Sequence, residues 1–131
     1  MELTISRALL DEIRAHAAEE PDREICGLLL GTGGHVSALL RCANVASEPE
    51  KRFEIDPAAL IAAHRAARSG ADAPIGHYHS HPSGLAVPSA CDAAMADPGH
   101  FWLIVAGNEI GCWWAKAGGS IDNMFDRVIL R

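Results

Sequence analysis

Gly76-His77-Tyr78-His79-Ser80-His81-Pro82 and, a few residues on, Pro88-Ser89-Ala90-Cys91-Asp92 decide how this chain is read. Imidazoles stand at every second position, and a hydroxyl and a carboxylate follow. In an extended strand the side chains at i, i+2 and i+4 point to one face, so His77, His79 and His81 form a row. With Pro88 opening a helix, Ser89 and Asp92 stand three apart in its first turn and share a face as well. One strand end and one helix start can therefore aim two imidazoles, a carboxylate and a hydroxyl at a single point, which is a metal-site geometry. A catalytic zinc takes three nitrogen or oxygen ligands and keeps its fourth position for water, and two His plus one carboxylate form such a set. Calcium or magnesium held by protein alone needs more oxygens, and a thiolate site needs paired cysteines. The stretch supplies neither.

His79-Ser80-His81-Pro82, six further residues and then Ser89-Ala90-Cys91-Asp92 resemble the signature of the JAMM/MPN+ zinc metalloproteases, His-x-His-Pro, a six-residue gap and Ser-x-x-Asp. Upstream, Glu24-Ile25-Cys26-Gly27-Leu28-Leu29-Leu30-Gly31 is similar to that family's first-strand segment, Glu-x-Cys-Gly-Leu-Leu-x-Gly. The two matches stand 55 residues apart, from Glu24 to His79, in the family's order. The resemblance implies one Zn2+ per chain, held by His79, His81 and Asp92. It implies Glu24 as the carboxylate that takes a proton from water and passes it to the leaving amine, and Ser89 as the oxyanion donor. His77 shares the face but falls outside the implied ligand set, so it is read as supporting the ligands or facing substrate.

Each residue also has a plainer reading. Glu24 could be a strand-edge charge in solvent, and Ser89 a helix N-cap, with cap and oxyanion donor competing for one hydroxyl. Cys26 and Cys91 flank implied site positions and are read as packing thiols. Rival zinc enzymes do not fit: nucleobase deaminases need His-x-Glu and Pro-Cys-x-x-Cys, and helical zinc proteases need His-Glu-x-x-His.

The remainder fits one domain, residues 1–131, long enough for a single core. Hydrophobic residues make up 49%, yet no apolar run approaches the roughly 20 residues of a membrane span. The start, Met-Glu-Leu-Thr-Ile-Ser, lacks the basic-then-apolar pattern of a signal peptide, so a cytoplasmic protein without a membrane partner is expected. A formal charge of -6 with scattered Lys and Arg argues against a nucleic-acid partner. Cys26, Cys42, Cys91 and Cys112 form no CxxC pair, so neither a structural zinc knot nor a disulfide framework is indicated.

Ile5, Leu9, Ile13 and Ala17, four apart, predict a helix over 5–18. A strand is expected over 24–31, turning through Gly31-Thr32-Gly33-Gly34 into another over 36–43. Phe53-Glu54-Ile55 alternates like a short strand, and Asp56-Pro57 opens a helix that Gly70 closes. Strands are further expected from Pro74 and over 101–105, 110–115 and 125–130, with a helix over 89–95 and a turn at Gly118-Gly119. The elements make an α/β protein with a mixed sheet flanked by helices. The resemblance implies a curved MPN/JAMM-like sheet with cytidine-deaminase-like layering.

By that resemblance the chain is a compact, stand-alone prokaryotic metallopeptidase or isopeptidase, hydrolysing a bond after the C-terminal Gly-Gly of a ubiquitin-like or sulfur-carrier protein. The partner is then that protein's C-terminal tail, with residues 46–55 a candidate edge for β-augmentation. The alternative is a non-catalytic zinc-binding MPN scaffold that binds a ubiquitin-like partner. Retention of every motif position, Glu24 included, favours the enzyme.

Overall fold

Gly33 and Gly34 both adopt positive φ, 56° and 57°, and close a two-residue hairpin of the kind that matches the twist of its flanking strands. The computed structural model describes residues Met1–Arg131 throughout. In chain order it contains β1 (Glu2–Leu3), α1 (Arg7–Glu19), β2 (Cys26–Thr32), β3 (His35–Cys42), α2 (Pro57–Arg68), β4 (Ala73–Ser80), α3 (Ala90–Met95), β5 (Phe101–Ala106), β6 (Glu109–Gly119) and β7 (Asn123–Leu130). All seven strands join one sheet in the order β1-β7-β6-β5-β4-β2-β3. β4–β5 and β1–β7 are parallel and the other pairs antiparallel, which makes the sheet mixed, as expected.

Helices cover both faces, so central strands bury both of theirs. α1 is capped by Ser6, whose side chain accepts from the Leu9 N–H. It lays Ile13 onto a core of Leu3, Ile25, Leu29, Tyr78, Leu103 and Val105. Each such aliphatic side chain is worth about 1.5–3 kcal/mol on burial. The opposite face gathers Cys26, Phe53, Trp102, Ile104, Trp113 and Phe125, with Ala93 of α3 packed against them. α2 begins as the sequence requires, with Asp56 capping the Ala58 N–H and Pro57 in the first turn. Tyr78 belongs to the α1 core, whereas His77 and His79, its neighbours on the period-two strand, contact Phe53 and Trp102 on the other face.

Several expected boundaries move. β1 was not anticipated; it pairs in parallel with Ile129 and Leu130 at the far end of the chain. The stretch 53–55 forms only an isolated bridge between Asn44 and Ile55, because the Asn44 side chain already occupies the Arg52 carbonyl and the Glu54 N–H. The expected strand edge at 46–55 is therefore an irregular loop. β6 runs on through Gly119, and the turn falls later, with Asp122 and Asn123 at φ 48° and 59°. Pro88 lies outside α3, whose N-cap is Ser89. β4 ends at Ser80, so His81 is the first residue beyond it, its N–H still donating to Val105 before Pro82 breaks the ladder.

Candidate metal centre

β2 and β4 pair antiparallel with Cys26 opposite His79. Carried two residues further, that register sets Glu24 across from His81, and bonds between Ile25 and Ser80 hold the chains together there. Ligand atoms of Glu24, His79 and His81 consequently lie within 4.8 Å of one another. Glu24 is 5% exposed, which disposes of a solvent-edge charge. α3 brings the second carboxylate. Asp92 Oδ2 lies 3.3 Å from His79 Nε2 and 3.1 Å from His81 Nε2, and the two nitrogens are 3.1 Å apart.

That triangle is the tighter of the two possible ligand sets. A tetrahedral ion with bonds of about 2.0–2.1 Å holds its ligand atoms about 3.3 Å apart, so the side of the triangle fits zinc. Outer contacts hold each side chain in place, and for His81 they also set the tautomer. The Nδ1 of His81 meets the Leu85 carbonyl at 2.8 Å; a carbonyl only accepts, so Nδ1 carries the proton and Nε2 presents its lone pair. His79 is completely buried and stacks on Phe53, centroids 4.2 Å apart at 20°. Asp92 is locked by a capping box: its N–H donates to Ser89 Oγ at 3.0 Å and its Oδ2 accepts from the Ser89 N–H at 2.9 Å.

Burial raises the Glu24 carboxyl from 4.5 to about 7, with the Asp92 charge adding and His81 opposing. Burial lowers His79, and hydrogen bonding to Asp92 only partly offsets it. In His81 burial is outweighed by Asp92, the Leu85 carbonyl and Glu24, so its pKa rises. Burial of Asp92 is outweighed likewise by its hydrogen bonds with His79 and His81, which hold it well below the usual carboxylate range. A shared carboxylate, two imidazoles shifted in opposite directions and a carboxyl that titrates near neutral pH thus lie together.

The structure brings five of the six sequence-predicted residues together. Glu24, His81 and Ser89 line one cleft of about 250 Å3 together with Glu50 and Lys51, and His79 and Asp92 are buried within hydrogen-bond distance of His81. Cap and donor do not compete at Ser89: its Oγ accepts from Asp92 while its own O–H stays available to donate. His77 is the one that stands apart. Its ring packs edge-on to Trp102, centroids 4.4 Å apart, and faces a separate cavity beside Leu60 and His64. Burial drives its pKa down to about 3, so it is neutral. Cys26 is a buried free thiol with its Sγ toward the Cys42 and Ala43 carbonyls, and burial pushes it up to about 12.

Sequence reasoning passed over Asn44, whose amide binds the backbone carbonyl of Glu24 at 2.8 Å. Its only sequence signal was an Asn directly after a strand, where such side chains bond nearby backbone.

Residues 6–116 match the family described as prokaryotic homologs of the JAB domain. The chain is similar to a desampylase of Haloferax volcanii, 39% identical over 100 residues, which are 74% of this chain and 72% of that protein. It is also similar to a Thermus thermophilus protein named "Probable TtuB-protein conjugate cleaving protease", 37% identical over 94 residues. That match spans 72% of this chain and 63% of the Thermus protein. Among solved structures, a Desulfitobacterium hafniense protein superposes with TM-score 0.82 at 27% identity, over 98% of this chain and 91% of that one. A JAB1/MPN domain protein from Archaeoglobus fulgidus shares the fold, with TM-score 0.62 at 21% identity over 99% and 98%. No helix is long and apolar enough to cross a membrane.

Proposed function

The chain belongs to the prokaryotic homologues of the JAB domain, and on that premise we propose that it is a zinc-dependent peptidase or isopeptidase. Its substrate is the C-terminal Gly-Gly tail of a ubiquitin-like or sulfur-carrier protein, joined to a further group by the bond that is cut. His79, His81 and Asp92 hold one Zn2+ per chain. The names of the Haloferax and Thermus relatives, a desampylase and a conjugate-cleaving protease, support the substrate class. The observation that carries the reading is the 3.1–3.3 Å triangle of two imidazole Nε2 atoms and a carboxylate oxygen, with a buried second carboxylate beside it.

Zinc supplies there a Lewis acid and lowers the pKa of water from about 15.7 to near 7. The protein supplies the rest. Glu24 Oε1 is buried without a partner of its own, and its pKa of about 7 lets it accept a proton from the attacking water and return it to the leaving amine. The free O–H of Ser89 donates to the oxygen on which negative charge develops. Removing one such donor from another hydrolase costs about 3 kcal/mol. Lys51 and Gly84 line the same cleft, and a tail entering it in extended form comes closest to the reacting groups at glycine, which lacks Cβ. This domain works in the cytoplasm and needs neither nucleic acid nor membrane.

Intact-mass analysis of the zinc-loaded protein with Gly-Gly-terminated ubiquitin-like proteins bearing C-terminal extensions tests this. Cleavage after the second glycine by wild type, and none by Glu24→Gln, is expected. Stoichiometric zinc with no cleavage of any conjugate would replace the enzyme with the scaffold reading.

A further inference from the structure

We infer that Asn44 is a positioning residue for Glu24, acting through the loop that joins β3 to α2; the inference rests on the reading of Glu24 as the proton-transfer group. All four hydrogen-bonding capacities of the Asn44 amide are met by backbone. Its Nδ2 donates to the Glu24 carbonyl at 2.8 Å and to the Arg52 carbonyl at 3.0 Å. Its Oδ1 accepts from the N–H groups of Ala46 and Glu54, both at 3.0 Å. One side chain thus fastens both limbs of the loop to each other and to the residue that carries the carboxylate.

Glu24 needs this fastening because it lies outside the sheet. β2 begins only at Cys26; the last hold of the neighbouring strand is the pair of bonds between Ile25 and Ser80, and no ladder partner meets the N–H or carbonyl of Glu24 itself. Its two backbone groups are instead held by this one loop: the N–H donates to Pro49 at 2.8 Å and the carbonyl accepts from Asn44. The same loop carries Phe53, whose ring stacks on His79. Asn44 therefore sets the carboxylate and one imidazole in a common frame without touching either reacting group. A carboxylate misplaced by about 1 Å transfers protons poorly, and such errors cost on the order of a hundredfold in rate.

Asn44→Asp separates the functions. It keeps the acceptor oxygen that serves Ala46 and Glu54, loses both donors, and turns an anionic oxygen toward the Glu24 and Arg52 carbonyls. With zinc-loaded full chain and a Gly-Gly conjugate, kcat should fall 10- to 100-fold while KM and zinc stoichiometry stay within twofold. Amide hydrogen exchange at Glu24, read without any substrate, should speed up at least tenfold. Ser6→Ala, which removes the α1 cap far from the cleft, serves as the stability control and should leave kcat and Glu24 exchange unchanged at a comparable drop in Tm. Asn44→Ser, smaller and uncharged, takes the place of Asn44→Asp if that variant does not fold. Unchanged Glu24 exchange in the variant overturns the inference, as does a kcat loss that Ser6→Ala reproduces. Wild type that cuts no conjugate defeats the proposed function instead, and the exchange measurement still decides the role of Asn44.

Discussion

Glu24→Gln should make the zinc-free protein more stable and the zinc-loaded protein inactive. The native fold buries this carboxyl and faces it with Asp92, raising its pKa from 4.5 to about 7. Between those values the native state keeps a proton that the unfolded chain has released. Stability must then fall as pH rises, since it increases with pH only where the unfolded state binds more protons. The interval from 4.5 to about 7, at about 1.4 kcal/mol per pH unit, amounts to about 3 kcal/mol, lost by pH 8. Glutamine has the same shape and nothing to ionise, and the variant retains His81 and Asp92, so the difference between the two proteins reports Glu24 together with its coupling to His81. Urea unfolding in the presence of chelator, at pH 5 and pH 8, measures it. The variant should gain about 2–3 kcal/mol on wild type between those two conditions, since at pH 5 the unfolded carboxyl has already released most of its proton. With zinc it should lose about 10²- to 10⁴-fold in kcat, the range for a general base. Stability–pH curves that run parallel would show that the native fold imposes no cost on the charged carboxylate.

Ser89→Ala should lower kcat about 10²- to 10³-fold by steady-state assay and cost about 1 kcal/mol in urea for the lost cap, with zinc content unchanged. Gly27→Ala drives its new methyl into the ring of Tyr78, which cannot swing away because its hydroxyl is hydrogen-bonded to His16 at 2.8 Å. A loss of about 1–3 kcal/mol, seen as a lower Tm, is expected. Zinc affinity should rise between pH 6 and pH 8, because Asp92, the Leu85 carbonyl and Glu24 favour the protonated form of His81 and protons compete for its Nε2. A competition titration with a chromophoric chelator reads it, and a flat profile would count against His81 as a ligand.

The clustering at the candidate metal site was legible because most of it is local. His79, His81, Ser89 and Asp92 sit on one strand end and one helix start, where backbone periodicity alone decides direction. Glu24 was legible through its segment, but its closeness to His81 depends on the β2–β4 register, which pairs residues 42 to 53 apart in the chain. Gly33-Gly34 and Asp56-Pro57 announced a hairpin and a helix start because their conformational demands are private to those residues. β1 gave no such signal: two residues cannot display a period, and what holds them is pairing with Ile129 and Leu130 at the other end of the chain. Phe53-Glu54-Ile55 misled for the opposite reason. Its alternation is real, with Phe53 buried and Glu54 exposed, yet pairing stops at the Glu54 carbonyl and the Asp56 N–H, because the side chain of Asn44 takes the Arg52 carbonyl and the Glu54 N–H. His77 shares the face of His79, as period two demands. It stands apart from the candidate ligands because its ring lies among Phe53 and Trp102, 6.3 Å from the ring of His79.

X-ray absorption at the zinc edge of the stoichiometrically loaded protein tests the metal assignment most directly. Two imidazole nitrogens with oxygen donors at about 2.0–2.1 Å, lost together in Asp92→Ala, are expected. A sulfur shell at about 2.3 Å, or the same spectrum from Asp92→Ala, would place the metal elsewhere and contradict the site described here.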